Sequence, residues 1–251
     1  MKLRSMVVTS LFAVSLMPTA MAFDFNKALK VGTDALQAAT LTDADVKALA
    51  EQACVKSDAQ STIAPPKDKY SKRLDVISKK LGNEINGQPV NYKVYLTKDV
   101  NAWAMANGCV RVYAGLMDLM TDDEVIGVLG HEMGHVALGH SKKGMQTAYA
   151  VAAAKNAASS YGNKTVASLT DSELGGFTET LINAQFSQSQ ELDADNFSFD
   201  LLTQKKLKRE GLITAFQKLA ALGGGEHSMT SSHPASEDRA KNIQTRIANG
   251  K

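Results

Sequence analysis

Histidine, cysteine, proline and tryptophan are scarce in this chain: its 251 residues include five, two, five and one of them. Two cysteines are too few for a disulfide-dense scaffold or a four-cysteine metal knuckle. An excess of one charge is missing as well. Lys and Arg number 28 against 26 Asp and Glu, which gives no ground for a general affinity for nucleic acid or acidic membranes. The basic runs "KDKYSKR" and "KKLKR" read as solvated helix surface. Long apolar runs are also missing. Residues 6–17 are too short to span a bilayer comfortably, and Lys155 and Asn156 interrupt the alanine-rich stretch 141–160. No transmembrane segment is expected in the mature chain.

The N-terminus does carry an export pattern. "MKLRSMVVTSLFAVSLMPTAMA" opens on Lys2 and Arg4, continues with the apolar run and closes on Ala20-Met21-Ala22. Cleavage after Ala22 would leave residues 23–251 as one domain, with 26 basic and 26 acidic residues, in the periplasm. The alternative is an uncleaved anchor. No cysteine stands at the cut, so no lipid attachment is expected there. In an exported chain an even cysteine count points to a bridge, here Cys54 to Cys109. It would close a loop of some 55 residues and contribute roughly 4 kcal/mol on chain-entropy grounds. The alternative is two buried free thiols.

Periodicity and capping signals divide the rest. Residues 26–60 read as helical, with Thr42 capping "DADVKALAEQA". Pro65-Pro66 marks a loop, and a helix follows over about 70–81. "VNYKVYL" alternates as a strand. In "NAWAMANGCVRVYAG", Asn107-Gly108 is a hairpin turn signal between strands 102–106 and 109–113. Thr121 and Glu124 form a capping box that opens a dense apolar helix to about residue 138. Thr170 and Glu173 form a second, from which one long helix is expected through "LINAQFSQSQELDADNFSFDLLTQ". "YGNKTVASL" before it reads as a loop. A helix over about 210–221, a flexible loop "GGGEHSMTSS" and a last helix starting near His233-Pro234 complete the chain. The expected fold class is α+β and mostly helical, with a small antiparallel sheet beside two metal-bearing helices.

Three of the five histidines fall in "GHEMGHVALGH". At about 100° per residue, His131 and His135 share a helix face and can converge on one ion. Glu132 beside them is placed to take a proton from a water at that ion, the arrangement of zinc peptidases. His140 lies about 180° from His131 and one residue short of the third ligand in the longer metzincin pattern. It reads as a helix-terminal or surface histidine. A catalytic zinc takes three protein ligands and a water, so a third ligand is needed. In "QELDAD", Glu191 and Asp195 share a face. Glu191 can reach the metal while Asp195 accepts a hydrogen bond from a ligand imidazole. His227, in the glycine-rich loop, reads as solvated.

With "NAWAMANGCVRVYAGLM", "GHEMGHVALGH", "QFSQSQELDADNFSFDLL" and "HPASEDR" in view, the chain resembles the HtpX and CAAX-prenyl-protease family of zinc metallopeptidases. The likeness spans nearly the whole mature chain. It implies a zincin-like metallopeptidase domain with one zinc ion per chain on His131, His135 and Glu191, Glu132 as base, and Asp195 as acidic partner. Its late histidine and arginine match His233 and Arg239, which the resemblance places near the substrate carbonyl, helping to hold the site together. Many relatives carry a proline-glycine pair where this hairpin has Ala106-Asn107-Gly108.

The expected activity is therefore endoproteolysis of unfolded envelope polypeptides. An extended substrate would add as a strand along Ala102, Trp103, Ala104, Met105 and Ala106. A metal-containing chaperone that binds unfolded chains without cutting them is the alternative, and Glu132 argues against it. A protease held inactive by its own loop is a third reading.

Overall fold

The structure, a computed structural model, describes residues 41–157, 170–222, 229–233 and 237–250. The expected export signal, the start of the first helix, the loop 161–169 and His227 lie outside these residues. Within them the helices begin where capping side chains stand. Thr42 accepts the Asp45 amide and opens α1 (Asp43–Gln60). Asp68 caps α2 (Lys69–Leu81). A short hairpin of β1 (Glu84–Ile85) and β2 (Gln88–Pro89) leads to β3 (Asn91–Tyr95), β4 (Ala102–Ala104), β5 (Cys109–Tyr113) and a short α3 (Ala114–Leu119). Thr121 and Glu124 cap α4 (Asp122–Ala137) reciprocally, as the sequence predicts. Then come α5 (His140–Ala157), α6 (Asp171–Ile182), α7 (Gln188–Gln204), α8 (Glu210–Leu222), α9 (Met229–Ser232) and α10 (Glu237–Ala248). The fold is α+β and mostly helical. Among the described residues no helix is long and apolar enough to cross a membrane.

Several expectations need correction. The one long helix from residue 171 is two helices, α6 and α7. Ser187 accepts the Gln190 amide at 3.3 Å while the Gln190 side chain accepts the Ser187 amide at 3.0 Å. This second capping box restarts the helix, and residues 183–187 run between the two. The sheet is mixed rather than antiparallel. β5 lies in the middle, parallel to β3 and antiparallel to β4. The reason is burial: four of the five β5 residues are buried, so the strand takes a neighbour on each side. The hairpin turn is not the two-residue kind. Met105 pairs with Cys109 (3.0 Å for the Gly108 amide on the Met105 carbonyl, 2.9 Å for the Met105 amide on the Cys109 carbonyl). Only Gly108 has positive φ, 82°. This is a three-residue loop, 106–108, closed by a left-handed glycine, and β4 ends at Ala104, shorter than expected. Finally, "MTSS" is helical as α9, and His233 follows it, its amide on the Met229 carbonyl at 2.8 Å. The described part of the last helix starts at Glu237.

Two apolar clusters organise the molecule. The larger joins α2, β3, β5, α3, α4, α7, α8 and α10 through residues such as Ile77, Val94, Val112, Leu116, Leu129 and Phe199. At its centre α4 is buried on every face from Glu124 to His135. α7 can press against it because Gly134 has no side chain. A Cβ there would sit 3.0 Å from the Ala194 carbonyl oxygen and 3.1 Å from the Ala194 Cα. The smaller cluster joins α1, α5, α6 and the β4–β5 hairpin through Leu49, Ala53, Trp103, Met105, Met145 and Phe177. Cys54 is bonded to Cys109 across it, with 6.4 Å between their Cα atoms. Beside the bridge, Arg111 is buried and donates to Asp58 through Nε at 2.8 Å and Nη2 at 2.9 Å. Asp58 also receives Lys93 at 2.7 Å and the Tyr95 hydroxyl at 2.8 Å.

Candidate metal centre

Close packing of α4 on α7 brings residues 60 positions apart in sequence to one point. His131 and His135, one turn apart on α4, face Glu191 in the first turn of α7. The two Nε2 atoms are 3.0 Å apart. Glu191 Oε1 lies 3.3 Å from His135 Nε2, and Oε2 lies 3.5 Å from His131 Nε2. His233 joins them: its Nδ1 is 2.9 Å from Glu191 Oε1 and 3.2 Å from His131 Nε2. One donor atom from each of these four side chains lies within 4.8 Å of the others, and all four are buried.

This donor set fits a divalent cation. The two Nε2 atoms, 3.0 Å apart and both turned to Glu191, can present their lone pairs to one ion. The Glu191 Oε2 contact with Arg239 Nη1, 2.7 Å, lacks hydrogen-bond alignment, and Glu132 Oε1 has no hydrogen-bond partner. Buried carboxylate oxygens without hydrogen bonds are costly, and a cation with a water would add partners to the charged contacts that Arg239 and His233 already make with them. Three imidazole nitrogens and a carboxylate oxygen are the donor types that zinc takes.

The surroundings orient these groups. Asp195 is one helical turn beyond Glu191 and its Oδ1 accepts from His131 Nδ1 at 2.7 Å. In a neutral ring that bond places the proton on Nδ1 and turns the Nε2 lone pair inward. Arg239, from α10, donates to Asp195 through Nε at 2.7 Å and Nη2 at 2.6 Å, and its guanidinium lies over the Phe216 ring at 4.3 Å. It therefore grips both acidic residues.

Burial and neighbouring charge set the protonation tendencies. Burial raises the Glu132 carboxyl above the usual range, against the pull of His233 and His131. Burial would do the same to Glu191, but His233 and His131 outweigh it and hold that carboxyl well below. Asp195 is likewise held low, since Arg239 and His131 overcome burial. Burial depresses His135 strongly. His233 goes up despite burial, because Glu132 and Glu191 face it. Of the two carboxylates nearest the ion position, Glu191 is the one built to stay charged and Glu132 the one able to carry a proton.

A cleft of about 460 Å³, counting its open mouth, leads to this point. Glu132 and His233 line its floor, and Trp103, Met105, Met145 and Phe186 are among its walls. β4 is the edge strand here. Trp103 faces β5 in the ladder, so by alternation Ala102 and Ala104 turn their backbone groups outward. The Ser141 hydroxyl already donates to the Ala104 carbonyl at 3.3 Å, and the Ala102 amide bonds the Asn101 side chain at 2.8 Å.

Residues 69–247 match the family described as Peptidase family M48. The chain belongs to that family. It is 53% identical over 249 residues to Metalloprotease LoiP of Escherichia coli (strain K12), covering 99% of this chain and 98% of that protein. Metalloprotease YcaL of the same organism is 54% identical over 229 residues, 91% of this chain and 90% of that one. Protease HtpX of Mannheimia succiniciproducens is 30% identical over 61% of this chain and 65% of its own. Family and relatives together make this chain a metalloendopeptidase, and its buried histidine and glutamate group is able to bind a metal.

His131, Glu132, His135, Glu191, Asp195, His233 and Arg239 thus all meet in one place. The sequence put His233 on the substrate side; the structure sets its Nδ1 among the ligand atoms, because α9 carries it over the site. His140 stays outside that group and is helix-terminal, at the start of α5; half-buried, it places Nδ1 3.2 Å from His135 Nδ1. Sequence reasoning missed Phe186, which stacks on His135 with 3.8 Å between ring centroids. Its signal was Ser187 and Gln190: a helix start there makes the preceding apolar residue a fixed loop anchor.

Proposed function

We propose that the protein is a zinc-dependent endopeptidase of the cell envelope that cuts unfolded or misfolded polypeptides. His131, His135 and Glu191 hold one zinc ion per chain. The observation that carries this reading is the pairing of that ligand set with Glu132, a buried carboxylate on the cleft floor whose Oε1 makes no hydrogen bond and has His233 Nε2 3.5 Å away. Zinc held there supplies a water whose pKa falls to about 7 and polarises the scissile carbonyl. Glu132 takes the water's proton and later gives it to the departing amine. Asp195 keeps His131 in the ligating tautomer, and Arg239 positions Asp195 and Glu191. An extended substrate pairs with the outward backbone of β4, which reads little side-chain sequence. Folded proteins offer no such segment. The export pattern in residues 1–22 supports cleavage after Ala22 and work in the periplasm.

His233 favours a second state of the same enzyme. Its Nδ1, 2.9 Å from Glu191 Oε1, is one of four donor atoms brought together and would compete with a water for the ion, so turnover would require it to withdraw. Once displaced towards the cleft, it and its raised proton affinity suit donation to charge developing on the carbonyl oxygen. His233→Phe lowers kcat if that assistance dominates and raises it if obstruction does.

The deciding experiment is zinc analysis with cleavage of an unfolded protein, wild type against Glu132→Gln. Expected are about one zinc in each and a loss of cleavage of roughly 10²–10⁴-fold in the variant. Undiminished cleavage removes Glu132 as base. Cleavage by neither protein, with binding of unfolded chains by both, supports the chaperone alternative.

A further inference from the structure

His131 and His135 are ligands of the same kind held by different means. Behind His131 stands a carboxylate, Asp195, itself gripped by Arg239. Behind His135 stands no carboxylate among the described residues. Its Nδ1 faces His140 Nδ1 at 3.2 Å, with the rings 5.2 Å apart and inclined at 64°. One face of its ring is covered by Phe186.

We propose that His140 is a positioning residue of the metal centre, accepting the Nδ1–H of His135 and so holding that ring with Nε2 toward the ion. The inference rests on the metal reading above. Its direction follows from the geometry. His135 Nε2 faces His131 Nε2 and Glu191, so a neutral ligating ring carries its proton on Nδ1. The atom opposite must then be an acceptor, which leaves the His140 proton on Nε2. His140 can stand there only because α4 ends in time. On a continuous helix a residue five positions on points about 140° away. Gly139, with φ of 75°, breaks the helix, its amide closing onto the Val136 carbonyl at 3.1 Å. α5 then starts at His140 in a new direction, and the imidazole returns to its own upstream neighbour.

A neutral acceptor gives a weaker bond than a carboxylate, so the effect belongs at the low end of what such partners contribute. In the full mature chain, the zinc dissociation constant is measured by competition with a chromophoric chelator, and the visible spectrum is recorded with cobalt(II) in place of zinc. His140→Leu fills the space without an acceptor, and zinc binding is expected to weaken about tenfold with an altered cobalt spectrum. His140→Asn supplies a carbonyl acceptor and should restore affinity to within about threefold of wild type. Leu and wild-type proteins with equal affinity and identical cobalt spectra overturn the proposal. So does an Asn variant as weak as the Leu variant, since the role is then packing. A wild-type chain that takes up no zinc overturns the metal reading itself, an outcome distinct from equal binding by wild type and His140→Leu.

Discussion

The two walls of the cleft are held together differently. On one side, α4, α7, α8 and α10 belong to the larger apolar cluster, and the candidate ligands His131, His135 and Glu191 project from the helix pair at its centre. Helix meets helix there across Gly134 at backbone distance. On the other side, α1, α5, α6 and the hairpin share a smaller cluster rich in alanine. The Cys54–Cys109 bond and the Arg111–Asp58 pair fasten it. The groups that demand sub-ångström placement sit on the wall held by the larger apolar cluster and by the buried Arg239 pairs with Asp195 and Glu191. The surface that receives a substrate of varied sequence sits on the wall fastened by a covalent bond and an ion pair.

The comparison breaks hardest on the metal side. Arg239→Leu leaves Asp195 and Glu191 buried without their counter-ion, and the metal-free protein should lose about 3–5 kcal/mol in urea unfolding. Zinc affinity should fall with it, since both acidic residues lose their orientation. If stability falls and affinity does not, the guanidinium has no positioning role.

On the other wall, replacing Cys54 and Cys109 together by serine should cost about 2–4 kcal/mol. The zinc dissociation constant should remain as it was. Coupled loss of affinity would show that the two walls are one unit, and the contrast drawn above would fail.

Gly134→Ala probes the helix contact with a single methyl group. Its clash with the Ala194 backbone should destabilise by about 1–3 kcal/mol. Because the displaced helix carries Glu191, zinc affinity should also fall. A crystal structure of the variant with α7 unmoved would refute the link.

The smallest effect is in acid. Burial would raise the Asp58 carboxyl, but Arg111, Lys93 and Tyr95 bring it down to about 2. A carboxyl depressed in the folded state stabilises above its unfolded value, near 3.8, and that contribution disappears as pH falls toward 2. Asp58→Asn should flatten the stability curve between pH 4 and 2 only by its own share, leaving the slope due to Glu191 and Asp195. A slope identical to wild type would mean that the ion pair does not form in solution.

Much of this was legible in the chain because its signals are local. Capping boxes at Thr121 and Thr170, the two histidines one turn apart and the acidic pair one turn apart each need only helical geometry to be read. The same locality explains the errors. A second capping box at Ser187 was hidden inside an otherwise helical pattern, so α6 and α7 were read as one. The hairpin strands were found, but nothing within them says that β3 returns to the far side of β5. His140 is helix-terminal and outside the candidate ligand group, as read, but its phase was counted along a helix that Gly139 ends, so its contact with His135 was not foreseen.

By itself the sequence determined which residues share a helix face, where most helices start and which side chains have metal-ligand chemistry. Those properties depend on neighbours within about a turn of chain. Only the tertiary structure decided that His233 would enter the ligand group, that Arg239 would grip two carboxylates and that His140 would stand behind His135. Each depends on how separate elements cross, and that is fixed by side-chain packing between segments far apart in sequence.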